Sequence, residues 1–456
     1  MTFGSWMLVA RTVGPLAASG LAYIFWRYIK NRNGAEEGQD TSLLVTYVVS
    51  RLGLWLLFSV YMQNYVTSSD PQMYYIPELE HFLAGDIPIQ DFYYPYAPLL
   101  MPSMLPFYLL LGHSLAGISL FAIVMEAIAL GFFLKSAYLL EQRGEMGHSW
   151  VTAAMAVYLL NPATLYWTVF QGYHSIVQTA YFMAGLYFLL RGDQTLGYAV
   201  GFYGVAGAKL LAVLDWPALM AVDRPRVAKL LWGLIPAVVT YILFQIISGD
   251  IFFPIRYHIG YTGEGNIWYL ITLFGDLHGF YSTFPGNLLP IAFVGIPFLF
   301  ALLLWFRYLK LGLACFSFQA AMGIATFTMS LFFLFSLYTG SYYIPMFMLP
   351  ASVVVMCPAL PNRRGVGLLL LVSGIGIAGD VIWVSLGQPK ALIDAFGSGS
   401  LREQLLATFL IISTLVRAVC FLRLAQLAWR VATTKPIAYR IIVPVSESPK
   451  RRQVIV

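Results

Sequence analysis

The chain has 456 residues, of which 59% are hydrophobic and only 11% charged, and its mean hydropathy is +0.74. A soluble domain carries about 25% charged residues, so a water-covered globule is excluded and a bilayer is the implied solvent. The net charge of +6 does not point to nucleic acid, because the basic residues lie in short loops and a short tail that suits an inner membrane surface.

Only helices and closed barrels satisfy every backbone polar group in lipid. The apolar runs here are roughly twenty residues long rather than alternating ten-residue segments, which selects helices. The chain is therefore expected to be all-α and polytopic. Candidate spans are 6–28, 43–62, 97–112, 114–139, 149–168, 171–190, 196–221, 229–248, 287–306, 312–337, 341–358, 366–386 and 404–426, about thirteen in all. The first lacks a basic leader and is read as a retained span. Cys315, Cys357 and Cys420 all lie in apolar runs, with no disulfide or zinc pattern.

Charge gives this array a direction. Alternate loops hold Arg27, Lys30 and Arg32; Arg224, Arg226 and Lys229; Arg307 and Lys310; Arg363 and Arg364; and a tail from Arg430 to Arg452. The opposite loops hold Arg143, Arg191, Arg256, Lys390 and Arg402, and most of the acidic residues. The positive-inside rule puts the first set, and the C-terminus, in the cytoplasm. Two opposite-side loops, 63–96 and 249–286, are long and aromatic. Long connections between packed helices are candidates for function.

In the first of these loops, Ser69-Asp70-Pro71 reads as a helix start. Tyr75, Leu79, Phe82 and Leu83 share one face, Glu78 and His81 lie beside it, and Gly85 ends it. This predicts a short helix lying along the membrane surface. Asp70 follows directly from a span, where a carboxylate can act as an N-cap or as general base toward a membrane-proximal hydroxyl. Glu78 and His81, at i and i+3, either orient a substrate, help hold a divalent cation or form a solvated face. Lys209, Glu126, Lys135 and Asp380 lie inside apolar runs, where ions are paired or functional. For Lys209 the alternatives are an anion site or a pairing with Asp215.

The stretch Asp70, Tyr74, Gly85, Pro88, Asp91, Phe92, Tyr93, Tyr94, Pro95 and Pro98 resembles the first outer loop of polyprenyl-phosphate-sugar-dependent glycosyltransferases of the GT-C fold. It is most similar to the polyprenol-phosphate-mannose-dependent branch. Asn161-Pro162 followed by Gln171-Gly172-Tyr173-His174, Gly207 to Lys209, and Tyr257-His258 resemble further stretches of that family. Departures are the lack of an acidic neighbour to Asp70, His174 where the family pattern has Asp, and no Arg after Tyr257-His258. Arg256 stands just before that pair instead.

The resemblance implies an extra N-terminal helix and link (1–42), a GT-C-like catalytic module (43–286), C-terminal spans (287–426) and a basic tail (427–456). It implies transfer of a sugar, mannose favoured, from a polyprenyl-phosphate donor to a glycan, lipid or protein hydroxyl outside the plasma membrane or in a lumen. Asp70 is then the catalytic base. Arg256, His258 and Lys209 hold the donor phosphate, and Glu78, His81, Asp91 and Tyr94 contact substrate. A divalent cation is left open. The competing expectation is a transporter or flippase of a lipid-linked sugar, which would use the intramembrane ions and need no base at Asp70.

Overall fold

The computed structural model describes residues 20, 23, 37–57, 71–251, 253, 289–311, 316–336, 340–358, 363–386 and 400–434. Asp70, Arg256 and His258, most of span 6–28 and most of the second long loop lie outside them. The described residues are helical throughout, broken only by turns and one isolated bridge between Pro88 and Phe92. Among the described residues, five helices are long and apolar enough to cross a membrane, or six when one bent pair is taken as a single span.

In chain order, α1 (Glu37–Tyr47) continues through a π-helical turn, Val48–Gly53. Next come α2 (Ile76–Ala84), α3 (Leu100–Leu110), α4 (Leu115–Gln142), α5 (His148–Leu159), α6 (Ile176–Leu190) and α7 (Gln194–Gly207). They are followed by α8 (Trp216–Met220), α9 (Val227–Ser248), α10 (Leu289–Leu311), α11 (Phe318–Phe335), α12 (Pro345–Val355), α13 (Arg363–Leu386) and α14 (Leu401–Thr433). Helix α11 is the hub, with 89% of its span buried, whereas only 17% of the α9 span is buried. Val227, Leu231, Trp232, Ile242 and Ile246 of α9 are exposed, as a lipid-facing helix requires.

Two expected spans change character. Helix α3 has eleven residues, about 16 Å at 1.5 Å per residue, half of a bilayer core. Its start is tied by the Leu99 N–H to the Ala206 carbonyl (3.0 Å). Its end is tied to α2, because Glu80 accepts from the Tyr108 hydroxyl (2.5 Å) and meets His113 Nδ1 (2.9 Å). Both ends therefore lie on the first-loop face, and 97–112 does not cross.

The run 196–221 doubles back instead of crossing once. Helix α7 stops at Gly207, Lys209 is extended (φ −152°, ψ 149°), and a 3-10 turn, Leu210–Asp215, leads back through α8. Gln194 at the start of α7 donates to Asp223 Oδ2 (2.9 Å) and the Arg224 carbonyl (3.0 Å) beyond α8. The two ends of this hairpin thus share the opposite face, and Lys209 sits at its apex rather than inside a continuous span.

Two lost crossings leave the later order intact but move the short segments between them. The turn Gln171–Ser175 comes to the first-loop face. Arg143 and Arg191 move to the face that carries Arg224 and Arg226, with Arg143 Nη2 donating to the Leu190 carbonyl (2.6 Å).

Chemistry explains the bent span. Helix α5 and the segment Pro162–Phe170 meet at 54°. Pro162 has no N–H to continue the ladder, and the Ala163 N–H is taken by Asn161 Oδ1 (2.9 Å). The Leu159 carbonyl, stripped of its helical donor, accepts from Arg51 Nη1 (2.7 Å). Arg51 also spans Glu126 through Nε–Oε2 and Nη2–Oε1, both 3.1 Å, and donates to Thr164 (2.9 Å) and Ser50 (2.9 Å). The Tyr158 hydroxyl completes the set on Glu126 (2.8 Å). Glu126 is thus half of a fully enclosed ion pair. Asp380 accepts from the Tyr166 hydroxyl (2.5 Å). Lys135 is exposed beside the Phe132 and Tyr187 rings, where its stem can snorkel along lipid.

Candidate functional site

The first-loop face gathers polar and aromatic residues from distant parts of the chain. Pro71–Tyr75 forms a π-helical turn that runs into α2, and α2 ends at Gly85 with φ +85°, a left-handed conformation that favours glycine. The expected surface helix is present, rotated slightly about its axis. Tyr75, Glu78 and Leu79 are buried, and Leu83 is exposed. The loop after it is shaped by Asp91, whose Oδ2 accepts from the Ile87 N–H (2.7 Å). His81 pairs with Asp86 (2.8 Å) and stacks on Phe92 at 4.7 Å. Tyr94 is wholly buried, donates to the Ala97 carbonyl (2.8 Å) and packs on Phe82 and Phe244.

Three of the expected substrate contacts, His81, Asp91 and Tyr94, are therefore engaged in building the loop. Glu78 differs. Its side chain is buried 4% exposed, and Oε2 has no hydrogen-bond partner. Loss of water pushes its carboxyl up to about 9, so at neutral pH it is an uncharged acid with an O–H to offer. Glu78 and His81 do not form a chelating pair: one is enclosed, the other turns to Asp86. Among the described residues no group of three or more His, Cys, Asp or Glu side chains could hold a metal ion.

Tyr75 faces across to the turn Gln171–Ser175. Its ring meets His174 at 5.1 Å and Tyr173 at 6.4 Å, and Tyr96 meets His174 at 5.6 Å. The turn is possible because Gly172 takes φ +65° and because a Cβ there would stand 2.8 Å from Ser119 Oγ. It is closed by the Tyr173 N–H to the Trp167 carbonyl (2.9 Å) and the Val177 N–H to the His174 carbonyl (3.0 Å). His174 is 2% exposed, and neither ring nitrogen has a hydrogen-bond partner.

Beside it, Lys209 Nζ reaches Ser175 Oγ (3.4 Å) and lies over the Tyr343 ring at 3.9 Å and the Tyr342 ring at 5.4 Å. Tyr342 in turn stacks on Tyr173 at 4.9 Å. Asp215 is not the partner of Lys209; it accepts from Gln178 Nε2 (2.7 Å). A second cation approaches the same 3-10 turn, Ser341–Tyr343, from α14: buried Arg417 donates to Ser341 Oγ (3.1 Å). The structure thus brings Tyr75, Tyr96, His174, Ser175, Lys209 and the turn Ser341–Tyr343 into one cluster. Two cationic side chains and several hydroxyls there suit an anion, and the aromatic edges suit an apolar or sugar face.

Sequence reasoning missed Arg417 and gave His174 no role. The signal for Arg417 was a cation in an apolar run. That for His174 was a polar quartet, Gln171–His174, flanked by apolar residues.

Comparison with known proteins finds a structural likeness. The crystal structure of ArnT from Cupriavidus metallidurans bound to undecaprenyl phosphate superposes with a TM-score of 0.47 at 14% identity, covering 86% of this chain and 78% of that one. No family model matches the sequence, and no curated protein matches it.

Proposed function

We propose that this chain is a membrane glycosyltransferase of the GT-C type. It would move a hexose, mannose favoured, from a polyprenyl-phosphate donor to an acceptor hydroxyl at the first-loop face. The observation that carries the reading is the meeting of the family-like first loop with Lys209, at the apex of a hairpin, on one face of a lipid-embedded bundle. A lipid phosphate reaches such a place from the bilayer side, and a water-soluble or membrane-proximal acceptor reaches it from outside. The opposite face carries Arg143, Arg191, Arg224, Arg226 and Arg430, which supports reading it as cytoplasmic and the first-loop face as extracytoplasmic.

In this reading the acceptor oxygen attacks the anomeric carbon. The bond from that carbon to the phosphate oxygen breaks, and its electron pair leaves with the polyprenyl phosphate. Asp70, immediately before the buried Pro71 that opens the surface helix, takes the hydroxyl proton. Lys209 stabilises the phosphate as charge grows on it, joined by Arg256 and His258 of the second long loop. Glu78, neutral in its enclosed setting, donates a hydrogen bond to substrate.

The test is release of polyprenyl phosphate from polyprenyl-phosphate-mannose by purified protein in lipid, with a panel of sugar and lipid acceptors. Wild type should release it. Asp70→Asn should fall by about 10²–10⁴-fold, the usual worth of a positioned base, while keeping its melting temperature. Silence with mannose, glucose and arabinose donors alike, from folded protein, would overturn the reading. Movement of the intact donor across the bilayer without release would replace it with the transporter.

A further inference from the structure

We infer that His174 is a sugar-recognition residue, with a ring nitrogen hydrogen-bonding a hydroxyl of the donor hexose beside Tyr75 and Tyr96. The inference deepens the glycosyltransferase reading and rests on it. Buried polar groups are almost always matched, yet both nitrogens of this enclosed imidazole lack partners. The ring is not a casual filler. The turn that carries it holds Gly172 at φ +65°, a conformation that favours glycine, and two tyrosines of the first loop pack their edges on it.

Its charge state fits the role. The turn lies between helices at the first-loop face. Burial pushes the imidazole well below its ordinary value, and the nearby Lys209 charge adds to the effect. A neutral ring has one N–H donor and one acceptor nitrogen. A pyranose hydroxyl can accept from the first or donate to the second. Ser175, the next residue, already meets Lys209 Nζ, so a phosphate held by Lys209 would place the attached sugar next to His174. A bare phosphate held at Lys209 would leave the imidazole unmatched. A site built to hydrogen-bond hydroxyls rejects ligands that lack them strongly, because its own groups then stay unpaired.

The experiment compares binding of polyprenyl-phosphate-mannose and bare polyprenyl phosphate to the full chain in lipid nanodiscs, by titration with native mass spectrometry. Wild type should prefer the sugar-bearing lipid by at least about tenfold. His174→Phe keeps the aromatic packing and removes both nitrogens. It should bind bare polyprenyl phosphate within twofold of wild type and lose the preference for the sugar. His174→Gln, which restores a donor and an acceptor, should regain part of it. An unchanged preference in His174→Phe overturns the inference alone. A wild type that binds neither lipid overturns the glycosyltransferase reading and the inference with it. If His174→Phe does not fold, single-deoxy mannose donors on wild type decide. One position should lose most of the preference, and a panel in which none does overturns the inference.

Discussion

Two buried polar clusters in this molecule are chemically alike and arranged in opposite ways. Around Arg51 and Glu126 every charged atom is matched, by one another, by Tyr158, Thr164 and Ser50, and by the Leu159 carbonyl, whose helical donor Ala163 turns to Asn161. Around His174 and Glu78, equally removed from water, the imidazole nitrogens and a carboxyl oxygen have no hydrogen-bond partner. The first cluster is complete without any ligand, so it belongs to the scaffold. It holds the break in α5 open and so fixes where the turn Gln171–Ser175 emerges. The second is incomplete as it stands, which is the state expected of groups kept for a substrate.

The sharpest way to break this contrast is to remove one side of the complete cluster. Arg51→Met leaves Glu126 enclosed and uncompensated and strips the Leu159 carbonyl of its donor. Losing one partner of a buried pair costs about 3–5 kcal/mol. Unfolding in detergent monitored by intrinsic fluorescence should show a loss of that order, and Glu126→Gln added to Arg51→Met should recover part of it. A melting curve indistinguishable from wild type would mean that water reaches Glu126, and the scaffold assignment would fail.

Lys209→Met makes the complementary cut in the incomplete cluster. The substitution keeps an unbranched side chain of nearly the same length beside the Tyr343 ring while removing the charge. Release of polyprenyl phosphate should fall by at least about tenfold, the scale expected for one charge on a developing phosphate, with little change in melting temperature. A large drop in melting temperature would move Lys209 into the scaffold class with Arg51.

How far the sequence foretold this division can be read from single residues. The surface helix was legible because Tyr75 and Leu79 recur at helical spacing and Gly85 closes the pattern. Lipid embedding was legible in the scarcity of charge. Crossing order was not, because hydropathy cannot tell one long span from two half-length helices. The run 196–221 is apolar apart from Lys209 and Asp215, yet α7 stops at Gly207 and turns at Lys209. The charge at Lys209 was the sign of that turn, read instead as an ion within the membrane. The partner of Glu126 was hidden because it lies 75 residues away, where no local spacing rule reaches. Asp91 and Tyr94 are part of the family-like stretch, but their atoms are spent on the Ile87 N–H and the Ala97 carbonyl.

Glu78 sharpens the contrast through pH. In the unfolded chain its carboxyl loses its proton near the ordinary 4.5, whereas the folded chain keeps it up to about 9. The folded state therefore binds more protons across that window. Stability contributed by this site is full below about 4.5, declines as pH rises toward 9, and is level above it. Melting temperature measured from pH 6 to pH 10 should fall in wild type and fall less in Glu78→Gln, which carries no titrating group. Parallel curves would show that the carboxyl is hydrated or paired and does not belong to the incomplete cluster.

The smallest effect should come from Tyr94→Phe. It lies in the middle of the family-like stretch, and the resemblance assigns it to substrate. The geometry assigns it to the loop, since its hydroxyl is wholly enclosed and donates to the Ala97 carbonyl at 2.8 Å. Phenylalanine preserves the packing on Phe82 and Phe244 and forfeits one neutral hydrogen bond, a loss of about 1 kcal/mol. Melting temperature should drop by a few degrees at most, and the rate and donor preference of polyprenyl-phosphate release should stay within about twofold of wild type. A selective loss of donor preference with unchanged stability would place Tyr94 beside His174 among the groups that wait for substrate. An enclosed, fully bonded side chain could then no longer be taken as a mark of scaffold.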